Sequence, residues 1–205
     1  MKNRLKWGAK VISSDGKNLG KLTRIVVHPT NNEVTHIVIE KGFFNRVAKL
    51  APINCVYFAA PDEVRLEVNA EQVQHLQDFE ETYFVTGEGS EEGATPIYWL
   101  RPVGDYAELY PLPPLVKEYN IEEGSKAVEP GAFVISAEEK EIGRVGSVVL
   151  DDSGHITHVA INVNIKGEKS EKIIPVDWIM EIKQSSLKIS ASESMLEKLP
   201  EKNEG

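Results

Sequence analysis

The sequence predicts a mainly β fold of two small six-stranded barrels, each closed by a short C-terminal helix and joined by an aromatic, proline-rich linker. Two observations carry this: short β-branched runs alternate with turn residues, and the whole pattern occurs twice. Gly8-Ala9-Lys10-Val11-Ile12-Ser13 returns as Gly131-Ala132-Phe133-Val134-Ile135-Ser136, at an offset of 123. The offset persists through Leu19-Gly20-Lys21 and Ile142-Gly143-Arg144, and through Ile25-Val26 and Val148-Val149. One residue is then lost, so that Val34-Thr35-His36-Ile37-Val38-Ile39 matches Ile156-Thr157-His158-Val159-Ala160-Ile161. Pro52-Ile53 and Pro175-Val176 restore the original spacing.

Within the first copy the strands fall at Val11–Ser13, Gly20–His28, Glu33–Glu40, Val47–Leu50, Ile53–Phe58 and Val64–Val68. Ser14-Asp15-Gly16-Lys17-Asn18 separates the first two as a turn. Thr30-Asn31-Asn32 and Asp151-Asp152-Ser153-Gly154 form equivalent hairpin turns in the two copies. Six short strands favour closure into a barrel, which removes exposed edges. Asn69, with Gln72 three residues on, has the form of a capping box for a helix that presents Val73, Leu76 and Phe79. Ser190 or Ser192 caps its counterpart, which presents Met195, Leu196 and Leu199. The domains are therefore 1–79 and 131–200, with 80–130 between them and 201–205 as a polar tail.

A 205-residue chain with 41% hydrophobic and 27% charged residues has the composition of a packed globular protein. No window approaches the ~20 consecutive apolar residues of a spanning helix. The single cysteine, Cys55, cannot form an internal disulfide; its apolar neighbourhood reads as that of a buried small hydrophobe, and a cytoplasmic location follows. The net charge is −9, with 11 acidic residues against 3 basic ones in 80–130. Phosphate backbones repel such a chain, so direct nucleic-acid binding is disfavoured, although residues 1–79 hold a small positive excess.

The run Gly8 to Lys21, the strand Val34–Ile39 and Ala51-Pro52, together with their repeats at Gly131, Gly143, Thr157-His158-Val159 and Ile174-Pro175-Val176, resemble the PRC-barrel domain. That family includes the barrel of the photosynthetic reaction-centre H subunit and the C-terminal barrel of ribosome-maturation factors. The resemblance implies a small β-barrel used as a protein-interaction or adaptor module, with no shared catalytic residues.

The residues themselves predict no catalytic, metal or cofactor site. His36 and His158 occupy equivalent positions inside apolar strands, where an imidazole usually satisfies neighbouring groups. His155 and His158 are three apart on a strand and so point to opposite faces. Gly16, Gly20 and Gly143 lack phosphate-loop spacing and read as turn or close-packing positions. No carboxylate pair stands in an apolar setting, and no Gly-x-Ser-x-Gly elbow occurs.

The segment 80–130 begins acidic and glycine-rich, as a solvated linker does. It continues with Tyr98-Trp99-Leu100-Arg101-Pro102, Tyr106 and Tyr110-Pro111-Leu112-Pro113-Pro114-Leu115, the composition of an extended docking arm. Tyr98, Trp99 and Arg101 are the candidate partner-binding residues, since these types dominate binding hot spots. The expected function is a non-enzymatic adaptor with protein partners, compatible with homodimerisation. An accessory role in ribosome maturation or RNA metabolism is the alternative.

Overall fold

The computed structural model describes residues 3–28, 30–42, 47–84, 98–103, 106–111, 115–165 and 167–200. The chain divides into two compact units, residues 1–78 with 121–205 and residues 79–120.

In the larger unit the first copy comprises β1 (Asn3–Lys6), β2 (Lys10–Ile12), β3 (Asn18–Val27), β4 (Val34–Lys41), β5 (Val47–Pro52), β6 (Val56–Ala59), β7 (Glu63–Leu66) and α1 (Ala70–Gln74). The smaller unit pairs β8 (Glu80–Phe84) with β11 (Leu115–Tyr119), and β9 (Tyr98–Val103) with β10 (Tyr106–Pro111), both antiparallel. At its base Phe79 stacks on Tyr119 with ring centroids 4.9 Å apart, and the Asn120 amide donates to the Phe79 carbonyl at 2.9 Å. The chain then returns to the larger unit with β12 (Lys126–Val128), β13 (Phe133–Ile135), β14 (Glu141–Leu150), β15 (Ile156–Ile165), β16 (Glu168–Pro175), β17 (Ile179–Ile182), β18 (Ser186–Ile189) and α2 (Glu193–Glu197).

Each copy forms a path of six hydrogen-bonded strands, β5-β4-β3-β2-β7-β6 and β16-β15-β14-β13-β18-β17. The expected closure into barrels does not occur: these are two sheets, each completed to seven strands by a strand from the other copy. The ends of the first path, β5 and β6, are held apart because the anticipated strand Ile53–Phe58 is broken. After Pro52, which has no amide hydrogen to donate, Ile53–Cys55 make a single 3-10 turn closed by the Val56 amide on the Ile53 carbonyl. Val176–Trp178 repeat that turn after Pro175. Cys55 consequently lies half-buried in a turn and is not a core residue. The outer edge of β5 is met by the chain leaving α1, through a bridge between Lys49 and Asp78 and a bond from the Leu50 amide to the Gln77 carbonyl at 2.9 Å.

The seventh strands are exchanged reciprocally. β3 is ten residues long, but β2 covers only its Asn18–Lys21 end. The far end, Ile25–Val27, pairs instead with β12 in the register Val128↔Ile25. β14 is likewise covered at Glu141–Arg144 by β13, and at Ser147–Leu150 by β1 in the equivalent register Leu5↔Val148. The hairpin turns meet across the same seam: the Val34 amide donates to the Gly154 carbonyl at 3.0 Å and the Ile156 amide to the Asn32 carbonyl at 3.2 Å. Asn32 and Gly154, the matching turn residues, both have positive φ. The two copies thus share one continuous apolar core that includes Leu5, Ile25, Val34, Val128, Val148 and Ile156.

Asn69 forms the predicted capping box with Gln72, and Ser192 caps α2 through its hydroxyl on the Met195 amide. On these one-turn helices only Val73 and its counterpart Leu196 are buried. Met195, expected to face inward, stands 46% exposed, because one turn cannot bury two adjacent side chains.

Candidate binding surface

Two clefts, related by the repeat, open where the copies meet. The first, about 530 Å³, has Leu5, Val56, Ala59 and Leu150 along its floor, with Glu33 and Asp151 on its rim. The second, about 410 Å³, places Ile179, Ile182 and Val27 in the positions of Val56, Ala59 and Leu150, with His28 and Lys126 on its rim. The clefts exist because β6 and β17 end the two strand paths and leave one side unpaired beside the exchanged strands. Met180 on β17, 63% exposed, lines the second cleft, and its counterpart Tyr57 on β6, 48% exposed, directly follows the cleft residue Val56 without lining the first cleft. Val56 and Phe58 on either side of Tyr57 are partly buried, whereas Met180 is followed by the exposed Glu181.

The rims differ chemically although the backbones match. Asp151 accepts the amides of Ser153 and His155 at 2.9 and 3.0 Å, which locks the turn and keeps the carboxylate at the mouth of the first cleft. Its counterpart His28 sits 3.8 Å from the Glu122 carboxylate. The first cleft therefore presents negative charge, while the second mixes imidazole, Lys126 and Glu181.

The paired histidines do not form a site. His36 is half-buried on β4 opposite Pro52, and burial pushes its pKa down. His158 holds the same place opposite Pro175 but is exposed. Burial, with the nearby Glu67 carboxylate adding to it, pushes the Cys55 thiol up and so away from the reactive thiolate. Among the described residues no cluster of three or more His, Cys, Asp or Glu side chains is assembled that could hold a metal ion. No helix among them is long and apolar enough to cross a membrane.

Tyr98, Trp99 and Arg101 lie on β9 of the smaller unit, in register with Pro111, Tyr110 and Glu108 of β10. The acidic run Gly87–Gly93, residues 112–114 of the Pro-x-x-Pro stretch and the 201–205 tail fall outside the described residues.

Gly20 and Gly143 explain why the long strands can cross so closely. A Cβ on Gly20 would stand 2.1 Å from the Glu40 carbonyl oxygen, and one on Gly143 2.2 Å from that of Asn162. A family model matches residues 7–73, from the turn that follows β1 into α1. The matching family is the PRC-barrel domain, and the match lies within the first copy. The match begins after β1, so the strand given to the other copy lies outside the PRC-barrel segment proper. The second copy repeats the PRC-barrel strand order element by element, including its parallel β13–β18 contact, which mirrors β2–β7. No curated protein matches the chain.

Sequence reasoning missed both clefts, because their walls come from positions far apart in the chain. The signal that could have located them is the repeat extended backwards: Leu5 and Val128 share the 123 offset, which marks β1 and β12 as equivalent strands.

Proposed function

We propose that this chain is a non-enzymatic adaptor that holds partner proteins at its two seam clefts. The observation that carries the reading is the repetition of the cleft at both seams, held at one geometry by a shared core, with the exposed counterparts Tyr57 and Met180 on the strands that wall the two clefts. Isolated exposed apolar residues are common on protein surfaces, but a pair repeated by the fold beside repeated concavities has the arrangement of contact anchors. The different rims favour one contact by each of two partners, or two unlike segments of one partner, with the second contact strengthened by effective concentration. Tyr98, Trp99 and Arg101, on β9 of the smaller unit, are the further partner-binding residues in this reading. In this layout residues 1–79 and 131–200 are the working modules, and 80–130 leads from one to the other, with its β12 completing the first sheet and Lys126 contributing to the second cleft.

The test is a tagged pull-down from the native lysate, read by mass spectrometry with and without ribonuclease. The full chain is compared with Tyr57→Ala, Met180→Ala and Tyr98→Ala/Trp99→Ala variants. The adaptor reading requires a protein set that survives ribonuclease and is depleted by the variants. Ribosomal or RNA-processing proteins that vanish with ribonuclease would replace it with the RNA-linked role, for which the positive excess in residues 1–79 is the supporting feature.

A further inference from the structure

We infer that the seam between the two copies is a selective protein–protein interface, built to pair the first copy with the second and to reject the pairing of like with like. The inference is independent of the adaptor reading, since it concerns what each half of the chain recognises in the other.

The backbone alone cannot make that choice. β1 on β14 and β12 on β3 have the same register, so either exchanged strand would fit either long strand. The charges differ. At the seam formed by β1, Arg4 Nε donates to the Ser147 hydroxyl at 2.7 Å, and its terminal nitrogen Nη2 pairs with the Glu171 carboxylate. Lys6 stands opposite Ser147. At the seam formed by β12 the arginine comes from the long strand. Arg24, the counterpart of Ser147, reaches Glu129, the counterpart of Lys6, at 3.4 Å, with Glu40 at 3.6 Å on its other side. Ala127 takes the place of Arg4. Each seam thus receives one arginine and carboxylates to meet it, contributed from opposite strands.

Pairing two first copies in this register would set Lys6 opposite Arg24 with Arg4 alongside, three cations against Glu40, at both seams. Pairing two second copies would bring Glu129 opposite Ser147 and beside Glu171, with Ala127 where Arg4 is needed. Like pairings collect like charges at partly buried positions, where screening is weak; Arg4 is 16% exposed and Arg24 21%. Juxtaposed like charges are a common means by which interfaces exclude wrong partners. The seam therefore separates the correct intramolecular assembly from strand-swapped assemblies of like halves drawn from two molecules.

The experiment uses the full chain carrying a protease site inserted between Gly89 and Ser90, cleaved after folding and incubated at high concentration. Native mass spectrometry should find the two fragments as a one-to-one complex of unlike halves. Separation of the fragments, or pairs of like halves at comparable abundance, would overturn the inference. A second measurement is made on the uncleaved chain. Arg4→Glu alone should lower the thermal midpoint by about 2–4 °C or more, and adding Glu171→Arg should recover most of the loss. Losses that merely add in the double variant would show that the charges pack the seam without selecting the partner.

Discussion

Lys172 donates from Nζ to the carbonyl oxygen of Leu199 at 2.8 Å, tying the end of α2 to strand β16. Lys49 makes the same bond to Leu76 at 2.9 Å at the end of α1. Leu76 and Leu199 each lie two residues past the last helical residue, where the chain leaves a one-turn helix, and a lysine amine from the neighbouring strand satisfies a carbonyl there that has no place in the helical ladder. The device recurs at the 123 offset, so it belongs to the fold rather than to one copy. Lys172 is 4% exposed, whereas the Lys49 side chain is 20% exposed and shared with Asp78 at 2.8 Å. Lys172→Met keeps the aliphatic stem but strands the Leu199 carbonyl, and should cost about 1–3 kcal/mol. Lys49→Met should cost less, because water can reach the freed groups. Urea unfolding midpoints of the two variants check the order; an equal or reversed order would refute the role given to burial.

Gly20 and Gly143 make a paired prediction of a different kind. Alanine at either position drives Cβ into a backbone carbonyl of the facing strand, and neither strand can yield without breaking its own ladder. Gly20→Ala and Gly143→Ala should each destabilise the protein by about 3 kcal/mol. Gly131→Ala, where no atom lies within 4 Å and only the positive φ of 69° resists, should cost about 1 kcal/mol. Thermal unfolding followed by circular dichroism separates the two classes. A small effect at Gly143, which carries no φ penalty, would show that the strand crossing is looser than described.

These glycines also mark how far the sequence was legible. Local signals identified the strands well: β3, β4, β14 and β15 are β-branched runs, and the Asn69–Gln72 box stops and starts the chain by purely local bonding. The repeat carried that reading to the second copy. The break after Pro52 was written in the sequence, since a residue without an amide hydrogen ends a ladder, but the apolar run Ile53–Phe58 masked it. The open sheets and the exchanged strands were not legible. Asn3-Arg4-Leu5-Lys6 holds one apolar residue among polar ones, and nothing local says which sheet that residue enters. The clefts inherit this limit, because Leu5, Val56 and Leu150 become neighbours only once β1 crosses to the other copy.

Acid should destabilise the protein in two steps. His36 is half-buried, and desolvation lowers its folded pKa below the ordinary 6.5. The unfolded chain therefore binds more protons than the folded one as pH drops through that value. The stability contribution from neutral His36 is complete above about 6.5 and declines below it until the depressed folded value is reached. Asp15 acts lower. The Ser13 hydroxyl at 2.6 Å, the Lys17 ammonium at 2.9 Å and the Ala70 amide at 3.0 Å hold its carboxylate well below the usual range. Its contribution is complete above the ordinary 3.8 and is lost as pH falls further. Urea midpoints recorded from pH 8 to about pH 2 should fall below 6.5 as His36 takes up its proton and again below 3.8 as Asp15 does. His36→Gln should remove the upper step and Asp15→Asn the lower one; a His36→Gln profile that keeps the upper step would assign it to another group.

Trp7 provides the last test, because it touches the seam without carrying charge. Its indole Nε1 donates to the Val128 carbonyl at 3.2 Å, so a residue just after one exchanged strand grips the other. The ring also faces Ile25, Val145 and Ile179 around an apolar void of about 20 Å³ in the shared core. Trp7→Phe retains most of the apolar ring and deletes the donor, leaving the Val128 carbonyl short of one partner at a cost of about 1 kcal/mol. Trp7→Ala empties the site as well and should cost about 3–5 kcal/mol. If the copies were independent domains, either change would loosen the first copy and leave the second untouched. With one continuous core, amide hydrogen exchange should instead rise in both β3 and β14, and faster exchange confined to β2 and β3 would show that the two copies do not unfold together.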